Sequence, residues 1–235
     1  MALWVFTFVT SSLFSQANAE DLDVIIGDWS PYIDRSLSNQ GLISEIVIKS
    51  FEKVGINANL IYKPWKRVEL DVDKRDSVSF GWIWNKERED KWQFSNEIGI
   101  SSSVFVARKD SNISWRTYED LRPYQIGITR GYSHGSAFDD FKSQFMIQEV
   151  SKDEHNLRKL LKKRIDLFAV DPMVGARLLR TKFSLEERNQ LKFIMEPAIA
   201  THGIYVVCAK AYKKCSYYLD KFNEGMDSLI KNDIK

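Results

Sequence analysis

The stretch SVSFGWIWNKEREDKWQFSNEIGISSSVFVARK, residues 77–109, decides the fold prediction. It contains two apolar runs that are typical of strands, residues 77–84 and 100–109, joined by a polar turn. Arg88 lies in that turn, shortly after the first run. Because a guanidinium presents a fork of N–H donors that matches a carboxylate, an arginine in this position is a candidate anion-binding residue.

The neighbours of Arg88 in the sequence leave two interpretations open. In the first, Arg88 forms a surface ion pair with Glu87 or Asp90 and has no further role. In the second, its cation lies in a pocket walled by three nearby tryptophans. These are Trp82, Trp84 and Trp92.

Strand-like and helix-like segments alternate on both sides of residues 77–109. Before this stretch, the pattern predicts strands at 23–26 and 59–62, a helix over 42–54, and a second helix opened by Pro64. After it, strands are predicted at 125–129, 146–150, 166–170, 191–196 and 203–210, and helices over 136–144, 153–164, 172–180 and 216–231. This alternation predicts an α/β fold with a mostly parallel sheet covered by helices.

The ends and the composition of the chain suggest a secreted protein. Residues 1–19 carry no charged side chain and end in the small residues Ala17-Asn18-Ala19, as a secretory signal peptide does. No lipobox cysteine follows, so we expect a periplasmic protein without a lipid anchor. The net charge is +2 with both signs well mixed, so no basic run indicates nucleic-acid binding.

The two cysteines, Cys208 and Cys215, are separated by six residues. In an oxidising compartment this spacing permits a disulfide between the end of a strand and the next helix, and two buried free thiols are the alternative. The three histidines show no ligand spacing with the cysteines. We therefore expect neither a metal nor a cofactor.

The sequence around Arg88 resembles the signature of bacterial family 3 solute-binding proteins, the periplasmic receptors of polar amino-acid transporters. The matching elements are Glu87-Arg88, Phe94-Ser95 and Ile98. Other stretches fit the family in the same order: WSPY (29–32), GLISEIVIKSFEKVG (41–55), YKPWKRV (62–68), YEDLRPYQIGITRG (118–131) and KKRIDLFAVD (162–171). The resemblance covers nearly all of the chain after the signal peptide.

The resemblance implies a two-lobed periplasmic binding protein of type II, with two strands crossing between the lobes near 104–109 and 199–206. The first lobe would contain residues 20–106 and 204–235, and the second would contain residues 107–203. No long linker rich in glycine, proline or serine separates the halves, which fits two lobes joined by hinges.

Two charged residues receive ligand-binding roles from the resemblance. Arg88 matches the arginine that binds the ligand's α-carboxylate. Asp171, at the carboxyl end of the strand 166–170, matches the acid that binds the ligand's ammonium group. The alternative role of Asp171 is to cap the helix that begins at Pro172.

The turn TRGYSHG, residues 129–135, joins a strand to a helix and contains Tyr132 and Ser133. Its backbone N–H groups would form a cradle for an anion. In the family, the residue that matches Ser133 helps to hold the carboxylate. We therefore expect Tyr132 and Ser133 at the ligand.

Aromatic residues would shape the rest of the pocket, with ordinary core packing as the alternative. The candidates are Trp29, Tyr32, Trp65 and Trp84. Gly81, followed by Trp82 and Ile83, stands where many amino-acid receptors carry small hydroxyl residues. This departure leaves room for another small carboxylate or a peptide-like ligand.

Two enzyme hypotheses use the same residues. GYSHG, residues 131–135, matches the G-x-S-x-G motif of α/β-hydrolases and would make Ser133, Asp171 and His202 an esterase triad. A dehydratase-like enzyme on the same fold would instead need a general acid such as Glu196, His202 or Asp171.

The function that we expect is not enzymatic. The chain would bind a small polar solute, an amino acid or a related carboxylate, for ABC-type uptake or for sensing. Its partners would be that small molecule and an inner-membrane ABC permease. We expect a monomer, in which closure of the lobes on the ligand produces the signal.

Overall fold

The computed structural model describes residues 19–233, with side chains up to residue 231. The predicted signal peptide, residues 1–19, therefore lies outside the described residues apart from Ala19. The strands are β1 (Glu20–Ile26), β2 (Ile56–Tyr62), β3 (Val78–Ile83), β4 (Trp92–Phe94), β5 (Gly99–Arg108), β6 (Gln125–Thr129), β7 (Met146–Val150), β8 (Leu167–Val170), β9 (Leu191–Ile194) and β10 (Ala200–Ala209). The α-helices are α1 (Leu42–Lys53), α2 (Trp65–Lys74), α3 (Lys86–Lys91), α4 (Ser136–Phe141), α5 (Asp153–Leu161), α6 (Pro172–Lys182), α7 (Leu185–Asn189) and α8 (Cys215–Asp233).

The first lobe is built on β1, β2, β3, β4 and β10. Strand β1 pairs in parallel with β2 and β3, and β10 pairs antiparallel with β3. Helix α1 turns a buried face that includes Val47 and Phe51 towards this sheet. The Phe51 ring lies 5.6 Å from the ring of Phe222 on α8, so the last helix covers the first lobe.

The second lobe is built on β6, β7, β8 and β9. Strand β6 pairs in parallel with β7 and β8, and every residue of β8 is buried. An aromatic cluster that includes Phe105, Trp115 and Phe138 fills its core. Because β6 and β8 are parallel, the residues that follow them, including Asp171, emerge at the same edge of the sheet.

Two long strands connect the lobes. Residues 99–103 of β5 pair with residues 200–204 of β10 in the first lobe. From Val104 onward, β5 pairs with β8 and β9 of the second lobe instead. The crossing therefore occurs next to Ser103, and the predicted lobe limits at 106 and 204 stay a prediction.

Most predicted elements form, and the differences have local causes. The polar turn around Arg88 is a short helix, α3, because the Asn85 side chain accepts a hydrogen bond from the Arg88 N–H at 2.9 Å. Helix α7 was not predicted, and a capping box between Ser184 and Glu187 starts it. Strand β10 begins at Ala200, three residues earlier than predicted.

Cys208 and Cys215 form a disulfide between β10 and α8 in the structure. Within residues 19–233, no helix has the length and apolar character that a membrane span requires. In the same described part of the chain, no three His, Cys, Asp or Glu residues are grouped as a metal site would need.

Candidate functional site

A cavity of about 40 Å³ lies between the two lobes. Seven of the nine predicted ligand-binding residues line it: Trp29, Trp65, Gly81, Arg88, Tyr132, Ser133 and Asp171. Six further residues complete the lining: Trp82, Ile83, Ser101, Ser103, Gly131 and His134. A cavity of this volume holds only a few water molecules and is too small in this conformation for a ligand of amino-acid size.

Arg88 is held in place by two backbone carbonyl oxygens and by two indole rings. Its guanidinium donates hydrogen bonds to the carbonyl oxygens of Ile83, at 2.8 Å, and Gly131, at 3.3 Å. The guanidinium carbon lies 4.8 Å from the ring centre of Trp82 and 5.7 Å from that of Trp92. The contact with Gly131 joins the two lobes, since Arg88 belongs to the first and Gly131 to the second.

No carboxylate of the described residues forms a salt bridge with Arg88. Glu87 and Asp90, the surface partners considered above, pair with Lys91 and Lys86 instead. Arg88 is only 7% exposed, and this burial lowers its pKa from the ordinary value. Because arginine still carries its charge in proteins, the cavity contains a buried cation that forms no salt bridge within residues 19–233.

Asp171 lies at the junction of β8 and α6 and is fully engaged with the protein. Its Oδ1 accepts hydrogen bonds from the backbone N–H groups of Met173, at 2.8 Å, and Val174, at 3.1 Å. Its Oδ2 accepts from the hydroxyls of Tyr32, at 3.0 Å, and Ser101, at 2.9 Å. The helix-capping role considered from the sequence is therefore present in the structure.

The loop 129–135 uses most of its own hydrogen-bonding groups. Its residues Arg130, Tyr132, His134 and Gly135 all donate their backbone N–H within the protein. The Ser133 hydroxyl donates to Asp139, whose pKa is raised by burial. Among the described residues we find no acceptor for the N–H groups of Gly131 and Ser133, so the expected anion cradle consists of these two.

A cluster of neutral polar groups adjoins the cavity: Ser103 and His134 line it, and His202 contacts Ser103. The Ser103 hydroxyl is 3.1 Å from Nδ1 of His134 and 3.3 Å from Nε2 of His202. Burial, together with the charges of His202 and Lys142, lowers the pKa of His134 to about 3, and burial lowers that of His202 to about 4. Both imidazoles are therefore neutral near pH 7 and can donate or accept hydrogen bonds.

Trp29 and Trp65 form the apolar wall of the cavity. The Trp65 ring lies 5.1 Å from that of Trp82 in an edge-to-face contact, and its Nε1 donates to the Asp28 carbonyl at 2.9 Å. Gly81 has a φ of 85°, and a Cβ there would lie 2.6 Å from Ile33. The positive φ therefore disfavours any residue other than glycine here, and a Cβ would also require the end of the Ile33 side chain to shift.

Two predicted pocket residues, Tyr32 and Trp84, lie outside the lining of the cavity. Tyr32 packs against Trp29 with the rings tilted by 37° and their centres 4.4 Å apart, and it contacts the cavity lining through its bond to Asp171. Trp84 is 39% exposed, because β3 ends at Ile83 and the chain turns there into α3. These two rings therefore do not line this cavity, and a contact of either with the ligand stays a prediction.

The structure does not assemble the esterase triad. The hydroxyl of Ser133 donates to Asp139, His202 contacts Ser103, and Asp171 accepts from Tyr32 and Ser101. No hydrogen bond links any two members of the proposed triad. Glu196, a candidate acid of the dehydratase hypothesis, is exposed on the surface.

Sequence reasoning missed three polar residues of the site: Ser101, Ser103 and His134. The signal for the first two was present, because Ser101-Ser102-Ser103 is a run of hydroxyls at the crossing strand. Strand alternation directs Ser101 and Ser103 to the same face. The role of His134 depends on its contact with Ser103, which is 31 residues away, and no sequence pattern predicts that contact.

Neither a protein-family model nor a curated protein sequence matches the chain. Solved structures do match its fold. The substrate-binding protein of an ABC uptake transporter from Streptococcus pneumoniae, with bound histidine, is 22% identical, with a TM-score of 0.72. That match covers 90% of this chain and 87% of the other.

Two further solved structures have the same fold and different uses. A histidine kinase sensor domain with similarity to periplasmic binding proteins is 19% identical, covers 92% of each chain and has a TM-score of 0.73. An ancestral amino-acid-binding protein, a precursor of cyclohexadienyl dehydratase, is 15% identical, with a TM-score of 0.69. That match covers 91% of this chain and 90% of the other. The predicted fold is therefore confirmed: this chain has the two-lobed α/β architecture of periplasmic binding proteins.

Proposed function

We propose that this chain is a periplasmic solute-binding protein that closes its two lobes on a small carboxylate, for ABC-type uptake or for sensing. The ligand's carboxylate lies against Arg88 and against the N–H groups of Gly131 and Ser133. Trp29 and Trp65 cover its apolar part. The chain acts by binding and closure and performs no reaction on the ligand.

Arg88 is the observation that carries the proposal. It is a buried cation, it lines the cavity, and no acid within residues 19–233 forms a salt bridge with it; only more distant carboxylates, those of Glu69, Asp139, Glu87 and Asp73, act on its charge. Burying an unpaired charge is costly, and proteins normally provide a partner for it. An anionic ligand supplies that partner, and the indole rings of Trp82 and Trp92 hold the guanidinium in the required orientation.

Contacts between the lobes support closure as the event that follows binding. The Arg177 guanidinium on α6 forms a salt bridge of 2.9 Å with Asp34 in the first lobe. Burial alone would raise the pKa of Asp34, but hydrogen bonds from Ser30, Ser36 and Arg177 lower it to about 2. Arg88 and Gly131 form a further contact between the lobes. Since only differential affinity shifts such an equilibrium, a ligand that touches both lobes favours the closed state.

The uses of the matching structures support the biological part of the proposal. A transporter's substrate-binding protein and a histidine kinase sensor domain share this fold. Together with the signal-peptide pattern of residues 1–19, this favours a periplasmic location and an ABC permease or a receptor as the partner.

The test is the effect of Arg88→Ala on carboxylate binding. Thermal-shift screening of the chain without residues 1–19, against small carboxylates and amino acids, should identify stabilising ligands. Calorimetry should then show that Arg88→Ala weakens the best ligand by at least about 30-fold, since loss of one partner of a buried charge pair costs about 2–5 kcal/mol.

Arg116→Ala is the matched control, because Arg116 is exposed and does not line the cavity. It should leave the affinity within about twofold of the unaltered protein. Equal affinity in the Arg88→Ala and Arg116→Ala variants would refute the proposal, provided that circular dichroism shows both to be folded.

A further inference from the structure

We propose, on the basis of the function proposed above, that the ligand is a carboxylate whose second polar group is uncharged, such as a 2-hydroxy or 2-oxo acid. The amino-acid receptors that the sequence resembles need an acid for the ammonium group. In this chain the matching acid has no acceptor left for an ammonium.

The acceptor capacity of Asp171 is filled by the protein itself. A carboxylate has two oxygens and about four acceptor positions in total. Asp171 uses two of them to cap α6 and two for the hydroxyls of Tyr32 and Ser101. An ammonium group would therefore have to displace one of these donors before it could bind.

No other acid replaces Asp171 at this position. It is the only Asp or Glu among the described residues that line the cavity. The carbonyl oxygens of Ile83 and Gly131 each accept one hydrogen bond from the Arg88 cation and carry no charge that could offset an ammonium. A cationic group in the cavity would thus meet Arg88 and find no free anion.

The spare hydrogen-bonding capacity of the cavity consists of unused donors of Arg88 and of neutral groups. Arg88 has five N–H donors. Two of its nitrogens each make one hydrogen bond, so three N–H groups lack an acceptor among the described residues. Ser103 and His134, which also line the cavity, are neutral groups that can donate or accept. Such groups can bond a hydroxyl or a carbonyl oxygen, but they carry no negative charge that would offset an ammonium.

Tyr32 is the residue that enforces this preference. It belongs to the first lobe, and its hydroxyl crosses to Asp171 at the start of α6 in the second lobe. Closure of the lobes therefore delivers the Tyr32 hydroxyl to the acceptor position that an ammonium would otherwise occupy. Tyr32 selects against amino acids by completing the hydrogen bonds of Asp171.

The experiment compares acids that differ only in the second group: L-lactate with L-alanine, 2-hydroxyglutarate with L-glutamate, and phenyllactate with L-phenylalanine. Calorimetry on the unaltered protein should show the hydroxy acid binding at least about tenfold more tightly in every pair that binds, the usual effect of one lost charge-assisted hydrogen bond. Equal or tighter binding of the amino acid overturns this inference.

Tyr32→Phe tests the cause of the preference. It frees one acceptor position on Asp171, so the affinity ratio of hydroxy acid to amino acid should fall by about tenfold. The affinity ratio is measured, rather than either affinity alone, because loss of a contact between the lobes weakens the binding of both ligands in a pair. Tyr118→Phe is the control, since it removes a buried hydroxyl bond of 2.9 Å to Ile199 outside the cavity. An unchanged ratio in Tyr32→Phe would contradict the role of Tyr32.

The two proposals fail in different ways. If amino acids bind better than hydroxy acids and the binding depends on Arg88, only the inference about the second group is wrong. If no carboxylate binds, or if binding does not depend on Arg88, the proposed function is wrong and the inference falls with it.

Discussion

The two charged residues of the cavity, Arg88 and Asp171, are equally buried but differ in how much of their hydrogen-bonding capacity the protein uses. Each is 7% exposed, and each follows a strand at the cleft between the lobes. Asp171 makes four hydrogen bonds to the protein, whereas Arg88 makes two and has no acidic partner among the described residues. Burial alone thus does not mark a binding residue, because what matters is the hydrogen-bonding capacity that remains unused.

Asp171→Ala should cause the largest loss of stability among these variants. A small loss would contradict the view that the hydrogen bonds of Asp171 serve the folded structure. It removes the cap of α6 and leaves the buried Tyr32 and Ser101 hydroxyls without their acceptor. Loss of a cap costs about 1 kcal/mol and an unsatisfied buried group costs about 1–3 kcal/mol, so we expect a total loss of about 3 kcal/mol. Urea denaturation measures the change in the free energy of unfolding.

The control for Asp171→Ala is Ser184→Ala, which removes the exposed cap of α7. It should cost only about 1 kcal/mol. If both variants lose the same free energy of unfolding, Asp171 acts as an ordinary cap and its two side-chain partners contribute nothing measurable.

Arg88→Lys should have an intermediate effect, on binding rather than on stability. Lysine keeps the charge but lacks the planar fork that bonds Ile83 and Gly131 and faces the ligand. We expect calorimetry to show carboxylate affinity about tenfold weaker, or about 1.4 kcal/mol. Affinity equal to that of the unaltered protein would mean that Arg88 contributes only its charge.

The smallest expected effect concerns the neutral imidazole of His134 and is a change of protein stability with pH. The folded-state pKa of His134 is about 3, against about 6.5 in an unfolded chain, so the unfolded state binds the extra proton between these values. Stability contributed by neutral His134 is therefore present above pH 6.5 and is lost as the pH falls towards 3. Below pH 6.5, the free energy of unfolding of the unaltered protein should fall by about 1 kcal/mol per pH unit more than that of the His134→Gln variant.

Urea denaturation of both proteins between pH 7 and pH 4 measures this difference. Asp153 has a pKa raised by burial to about 6 and acts in the opposite direction, but it is common to both proteins and cancels. A constant difference across this range would show that His134 takes up its proton as easily in the folded protein as in the unfolded chain.

Sequence reasoning predicted the fold well because local patterns determine its elements. The strand 125–129 was predicted with its observed limits, and the helix over 42–54 ends within one residue of the observed α1. Helix α3 was missed because its six residues are all charged and show no apolar period. The cap from Asn85 and the packing of Arg88 against Trp82 and Trp92 hold it instead.

The candidate site could be predicted only in part. Arg88, Ser133 and Asp171 were predicted from the family resemblance, and all three line the cavity, where residues that follow strands of an open α/β sheet meet the cleft. Trp84 does not line it, because two-residue alternation stops where β3 ends at Ile83. The contact of Ser103 with His134 and His202 spans separations of 31 and 99 residues, which no local pattern encodes.

The sequence by itself determined the alternation of strands and helices, the candidate cation at Arg88 and the position of Asp171 at a strand end. These follow from residue types at short spacing, which local propensity and periodicity control. Only the tertiary structure decided that Arg88 has unused donors and that Asp171 has no unused acceptor. That difference depends on Tyr32, 139 residues from Asp171, because hydrogen-bond capacity is consumed by neighbours in space rather than along the chain.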